Sequence, residues 1–228
     1  MTWGIIAALP AELELIIGAM RTERTHEAFG VRYHIGKIGG ARVAAACCGV
    51  GTINAAACAA VLVRELGATA LVNTGAAGST SPELGMLDVA ISSEVAFHDA
   101  DTDFMKHYYP HCESFAADPG LIALAQRSID ALPSRGFAYK IGRIATGDVF
   151  VNDPALKADI IARLRPLCVE MEGAAVGQVA HMGGVPFLVI RSVSDDAGQG
   201  ADVSFEDFLE RAAHNSAAIV LGMIESAW

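Results

Sequence analysis

Five short apolar runs, with segments of helical spacing between most of them, do most to limit the fold. They lie at Gly4–Leu9, Arg42–Cys48, Ala70–Thr74, Val89–Ala96 and Pro186–Val193. Near-continuous apolar strands are covered on both faces, which is the mark of parallel-sheet character inside an α/β domain. Between the strands, Pro10–Met20 carries Leu13, Leu15, Ile16 and Ile17, and Thr52–Leu66 is rich in alanine. Asp118-Pro119 reads as an N-cap followed by proline at the first helical position, opening a helix over Leu121–Leu132. Helices are also expected over Pro154–Leu164 and Glu172–Met182, and Ser204 with Asp207 resembles a capping box at the start of a C-terminal helix. Strands alternating with helices predict one domain over residues 1–228, with helices on both faces of the sheet. The segment Asp99–Ala117 reads as one long loop, whose aromatics and histidines suit a site or a subunit contact.

The chain has 228 residues, enough to bury a large core. Only 18% are charged while 53% are hydrophobic, so much of the surface is expected to be covered in an oligomer. A formal net charge of −10 disfavours nucleic acid or an anionic membrane as the main partner. The N-terminal apolar run has no basic segment before it and is interrupted by Pro10, Glu12 and Glu14, unlike a signal peptide. No stretch approaches the ~18 consecutive apolar residues of a spanning helix. The five cysteines form no C-x-x-C pair, and four lie in apolar surroundings, as expected of reduced core thiols. The expected location is cytoplasmic.

Two glutamates raise the first chemical question. In LCVEMEGAAVGQVAHMGGVPFLVI (Leu167–Ile190), Glu170 and Glu172 flank Met171 within an apolar and small-residue run. A buried carboxylate without a partner costs several kcal/mol or shifts its pKa, and a hydroxyl-rich ligand would satisfy such groups. The segment RSVSDDAGQG (Arg191–Gly200) follows a strand directly and offers Ser194, Asp195 and Asp196. A carboxylate at a strand's carboxyl end sits where open α/β sheets bind ligands, and burial beside a second carboxylate raises its pKa. An Asx-turn or helix cap accounts for the same residues. Together with Glu12, also beside a strand end, these acids suit a sugar and an acid-assisted bond cleavage.

Three other segments say less. NTGAAGST (Asn73–Thr80) is expected as a turn beyond the Ala70–Val72 strand, either exposing backbone N–H groups to a ligand or forming a plain loop. CCGVGTIN has Asn54 where a dinucleotide fingerprint has its third glycine, and no acidic residue ~20 positions on, so a tight strand-to-helix turn is expected. His98, Asp99, Asp101, His107 and His111 match no zinc spacing and read as loop polarity.

The order and spacing of GIIAALPAELELI, NTGAAG, HDAD, ATGDVFVN, VEMEGAA, VPFLVIRSVSD and SFEDFL resemble those of the 5′-methylthioadenosine/S-adenosylhomocysteine nucleosidases. These enzymes belong to the purine nucleoside phosphorylase/uridine phosphorylase superfamily, and the resemblance covers essentially the whole chain. It implies an α/β fold, a three-layer α/β/α arrangement with a central mixed β-sheet, nucleoside phosphorylase-like. It also implies a homodimer with shared active sites, no metal and no organic cofactor. The implied reaction is hydrolysis of the adenine–ribose bond of methylthioadenosine, S-adenosylhomocysteine and 5′-deoxyadenosine. By the same resemblance, Asp195 is the general acid at adenine N7, helped by the main chain around Val151, and Glu12 activates water at the anomeric carbon. Met171 and Glu172 hold the ribose, and Phe150 stacks near the purine. Leu9, Val50 and Phe205 border the ribose and its 5′ group. Ala76, Gly78, Glu170 and Ser194 complete the substrate-binding set, while Phe104, Met105 and Pro110 close the 5′ pocket of the neighbouring subunit.

Departures from the family pattern bear on the acid and on the 5′ group. Ala76 replaces a serine commonly bonded to the catalytic aspartate, leaving Asp195 to Ser194 or a water. SDDAG in place of SDVAD adds Asp196 beside the acid and puts Gly198 where an aspartate stands. Thr102 and Asp103 make the loop over the 5′ pocket more polar, which leaves the preferred substituent open. A phosphorylase of the same superfamily would need arginines near LPAELE and NTGAAGS, which have none. A hydrolase of 6-amino-6-deoxyfutalosine or futalosine would differ only at the 5′ group. A non-catalytic nucleoside-binding protein would lack Asp195 or Glu12.

Overall fold

Every residue of the strand Ala70–Ser79 is buried, and the sheet is arranged around it. The computed structural model describes residues 1–198 and 201–226; Gln199 and Gly200, which end the RSVSDDAGQG segment, lie outside the described residues. In chain order the elements are β1 (Thr2–Ala7), α1 (Pro10–Ala19), β2 (Arg21–Ala28), β3 (Val31–Ile38), β4 (Ala41–Cys47), α2 (Thr52–Arg64) and β5 (Ala70–Ser79). There follow β6 (Val89–Phe97), α3 (Thr102–His107), β7 (Phe115–Ala116), α4 (Pro119–Ala131), β8 (Tyr139–Thr146) and α5 (Pro154–Leu164). The last are β9 (Cys168–Glu170), α6 (Gly173–Gly183), β10 (Phe187–Asp195) and α7 (Ala201–Ser226).

The sheet is mixed, as expected. From one edge it runs β2-β3-β4-β1-β5, and β5 pairs onward in parallel with β10. From β10 the path continues through β6, β8 and β9, and β9 returns to pair antiparallel with the end of β5 at Gly78 and Ser79. The sheet therefore curls back on itself beyond β5. Helices cover both faces: α7 packs with α1 and α4 on one side, and α2 packs with α6 on the other. Because β1, β4, β5 and β10 run parallel, their carboxyl ends meet at one end of the sheet. Among the described residues no helix is long and apolar enough to cross a membrane.

The helix starts at Pro119 and Pro154 lie where the sequence signals them. Asp118 caps α4, its carboxylate accepting from the Leu121 N–H at 2.9 Å, and Asp153 does the same for α5 ahead of Pro154. Three expectations are corrected. NTGAAGS is not a turn but the second half of β5, paired to β10 as far as Gly78. Asp99–Ala117 is not a single loop, since it contains α3, capped by Asp101, and the short β7 paired to β6. Ser204 is not an N-cap, because α7 already begins at Ala201. None of the cysteines is in a disulfide, and Cys48, Cys58 and Cys168 are buried.

Candidate active site

A cavity of about 350 Å³ opens where the carboxyl ends of β1, β5 and β10 meet. Among the described residues, five buried ionisable side chains line it: Glu12, Glu170, Glu172, Arg191 and Asp195. Glu12 stands in the first turn of α1 and is 2% exposed. One of its oxygens accepts from the N–H groups of Ala8 and Leu9, the other from that of Ala76, each at 2.9 Å. Three backbone donors fix the carboxylate and leave lone pairs for a further partner.

Arg191 answers the question raised by the paired glutamates. Its side chain lies wholly inside the protein, and Nη2 donates to Glu170, to Asn73 Oδ1 and to Glu172 Oε2, the last at 3.1 Å. Burial works against the guanidinium charge, but Glu170, Glu172 and Glu12 together hold it protonated above the ordinary arginine value. Gly75 makes room for this cluster: a Cβ there would stand 2.3 Å from both Arg191 Nη1 and Glu12 Oε1. Residue 75 must therefore lack a side chain for the cation and Glu12 to approach across β5.

The two glutamates divide. Glu170 accepts from Arg191, from the Thr146 hydroxyl and from the first N–H groups of α6, at 3.0 Å from Glu172 and 2.8 Å from Gly173. Its carboxyl group lies at a helix N-terminus with its acceptors engaged inside the protein. Glu172 is the N-cap residue of α6 but turns its side chain toward the cavity. Its Oε1 accepts from the Gly51 N–H at 2.9 Å, at the start of α2, and its Oε2 meets Arg191. Burial pushes its pKa up to about 7, opposed by Arg191 and reinforced by Glu170. The expectation that a ligand's hydroxyls alone resolve this buried charge is thus corrected. Arg191 and backbone donors satisfy it first.

Asp195 ends β10, 2% exposed. Its oxygens accept from Ser194 Oγ at 2.9 Å and from the Ala197 N–H at 2.8 Å, so Ser194 stands in for a serine at position 76. Burial raises its pKa above the usual carboxylate value, against the pull of those two hydrogen bonds. Gly78 allows the carboxylate to lie against β5, since a Cβ there would come 2.6 Å from Asp195 Oδ1. Asp196 points to solvent.

The remaining wall is apolar. Leu9, Val50, Ala76, Gly78, Phe150, Val151, Met171 and Phe205 all line the cavity, with Phe150 and Phe205 edge-on at 6.0 Å between ring centroids. Sequence reasoning missed Arg191, Ala8, Ala77, Val149 and Val169 on the same wall. Only Arg191 left a signal: a lone cation within the apolar VPFLVIRSVSD strand, in a chain that still needed a partner for Glu170. Phe104, Met105 and Pro110 do not reach this cavity. Met105 and Pro110 line a separate hollow with Thr52, Asp99, Tyr109 and Gln178, and Phe104 is exposed beside Tyr108. Among the described residues no three His, Cys, Asp or Glu side chains gather as a metal site.

An α/β sheet with acids grouped at its parallel carboxyl ends has its ligand crevice there, and the class of the protein is given by the phosphorylase superfamily model, which matches residues 2–225. Within that superfamily the chain belongs to the 5′-methylthioadenosine/S-adenosylhomocysteine nucleosidase family. A nucleosidase of that name from Anoxybacillus flavithermus is 38% identical over 232 residues, covering 98% of each chain. The crystal structure of the Neisseria meningitidis nucleosidase in complex with methylthio-immucillin-A superposes with a TM-score of 0.93 at 36% identity, covering 99% of both chains. The native structure of futalosine hydrolase from Helicobacter pylori superposes with a TM-score of 0.91 at 27% identity, covering 99% of this chain and 98% of that one.

Proposed function

We propose that this protein hydrolyses the N-glycosidic bond of 5′-methylthioadenosine and S-adenosylhomocysteine, and of 5′-deoxyadenosine, giving adenine and the 5-substituted ribose. The observation that carries the reading is the set of carboxylates lining one cavity: Asp195, buried and of raised pKa, together with Glu12 and Glu172. Glycosidic cleavage passes through a cation-like sugar while negative charge leaves on the base. Asp195 donates its proton to adenine N7 as the C1′–N9 bond breaks. A water adds to C1′ and gives its proton to Glu12. Glu172 accepts from the ribose hydroxyls beside Met171 and steadies the developing positive charge. Phe150 and the main chain at Val151 flank the purine, and Leu9, Val50 and Phe205 border the 5′ side.

Water is the nucleophile in this reading because the wall does not suit phosphate. Among the described residues lining the cavity Arg191 is the one cation, and Glu170, Glu172 and Asn73 already hold it. A phosphate would meet more carboxylates than guanidinium. The 5′ pocket is completed by Phe104, Met105 and Pro110 of a second copy in a homodimer, and the enzyme serves methionine salvage in the cytoplasm. Futalosine-type substrates share the sugar chemistry and differ at the 5′ group, a reading favoured by the likeness to the Helicobacter pylori hydrolase.

The test is adenine release in phosphate-free buffer from adenosines carrying methylthio, homocysteinyl, hydrogen and futalosine-type 5′ groups. The 5′-thio substrates are expected to give the highest kcat/KM; strict dependence on phosphate would overturn the hydrolase reading. Asp195→Asn is expected to lower kcat by ~10²–10⁴-fold with methylthioadenosine still bound, because the proton is needed only in the transition state.

A further inference from the structure

The turn carrying Asp195 is held from outside the cavity as well as from within. Ala197, whose N–H fixes Asp195 Oδ1, has φ 51°, a left-handed conformation that a residue with a Cβ adopts reluctantly. It is fully buried, with its methyl group packed among Ala145, Val151, Ile160 and Val169. Between the two, Asp196 sends its side chain to solvent and turns its carbonyl toward α5, where Lys157 Nζ donates to it. The same helix begins just after Phe150 and Val151, which form one wall of the cavity.

Resting on the reading of Asp195 as proton donor, we propose that Lys157 is a positioning residue for that acid. Its hydrogen bond to the Asp196 carbonyl ties the strained turn to α5, and so to the wall that faces the base. Without the tie, the turn can relax toward an ordinary extended conformation. Ala197 then leaves its packing site, and Asp195 loses one of the two donors that aim it. Among the described residues, Lys157 is also the cation facing Asp195, and the other titratable groups near it are Asp196 on its own turn and Cys168 on β9.

The experiment compares the wild-type protein with Lys157→Met and Lys157→Arg, following adenine release from methylthioadenosine across pH, and amide hydrogen exchange at Ala197. Lys157→Met is expected to lower kcat about 10-fold with KM within about twofold, a part of the ~10²–10⁴-fold that acid catalysis supplies. The high-pH limb of kcat should move upward, since removing a cation favours the protonated acid. Exchange at Ala197 should accelerate, and Lys157→Arg should keep wild-type behaviour in all three measurements. Unchanged exchange in Lys157→Met overturns the proposal whatever kcat does, as does a wild-type kcat with an unmoved limb. If the wild-type protein releases no adenine, the functional reading fails separately, and the exchange result alone decides whether Lys157 holds the turn.

Discussion

Replacing Arg191 with methionine removes the charge on which the buried cluster depends while keeping most of the side-chain volume. The guanidinium serves Glu170, Glu172 and Asn73 from a position with 1% side-chain exposure, and its two carboxylate partners are 1% and 5% exposed. Breaking a buried pair from one side leaves an uncompensated charge and costs ~3–5 kcal/mol. For a chain of this size each kcal/mol moves Tm by ~2–4 °C, so a fall of roughly 6–20 °C is expected. The loss should grow with pH. Burial already lifts the Glu172 pKa to about 7 against the pull of Arg191, so without Arg191 the folded state holds that proton to higher pH still. Urea unfolding of both proteins at pH 6 and pH 8, at one fixed protein concentration, measures the effect. Adding Glu170→Gln to Arg191→Met should recover part of the stability, because it removes a charge that no longer has a partner. A single variant within 1 kcal/mol of wild type at pH 8, or a double variant no more stable than the single, would refute the ion-cluster account; that threshold lies well below the ~3 kcal/mol minimum for such a pair.

Glu172→Gln should flatten the dependence of stability on pH. With a folded pKa raised from 4.5 to about 7, Glu172 contributes stability below about pH 4.5 that is lost as pH rises through about 7; parallel curves for variant and wild type would exclude this. Gly78→Ala places a methyl 2.6 Å from Asp195 Oδ1 and should lower kcat about 10-fold or more with the fold retained, since small misplacements of a reacting group are costly. A wild-type kcat would mean that β5 gives way instead. Phe104→Ala with Met105→Ala should raise KM for methylthioadenosine more than for adenosine. Mixing that double variant with Asp195→Asn subunits should restore part of the activity, and no recovery despite confirmed subunit exchange would place the loop at its own subunit's site.

The central strands and most helices were legible because their signals are local. Pro154 follows a capping aspartate, and the expected helix over Pro154–Leu164 has the observed bounds of α5. β2 and β3 were not legible for the opposite reason. β2 is a sheet edge, exposed along most of its length and rich in charge, so it carries neither an apolar run nor clean alternation. Its pairing to β3 turns on Phe29 and Gly30, both at positive φ, and phenylalanine at such a position announces no hairpin. The second half of β5 misled in the other direction. Glycine and alanine usually mark turns, but here small residues are demanded by what crosses the strand. Gly75 admits Arg191 and Glu12, and Gly78 admits Asp195.

This is also why the site could be read only in part. Each carboxylate stands next to an apolar strand end, and position along the chain is enough to raise it as a candidate. What gives the carboxylates their partner is a relation among distant segments: Arg191 lies 21 residues from Glu170 and 118 from Asn73 in sequence. Spacing cannot reveal such a partner, but charge balance can. A strand buried on both faces does not carry a guanidinium without anions to meet it, and a helix start does not bury two carboxylates without a cation. Taken together, the unexplained glutamates and the unexplained arginine specify each other. The pairing leaves one glutamate, Glu170, bound to the protein, and the other, Glu172, turned to the cavity with one face still open to a ligand.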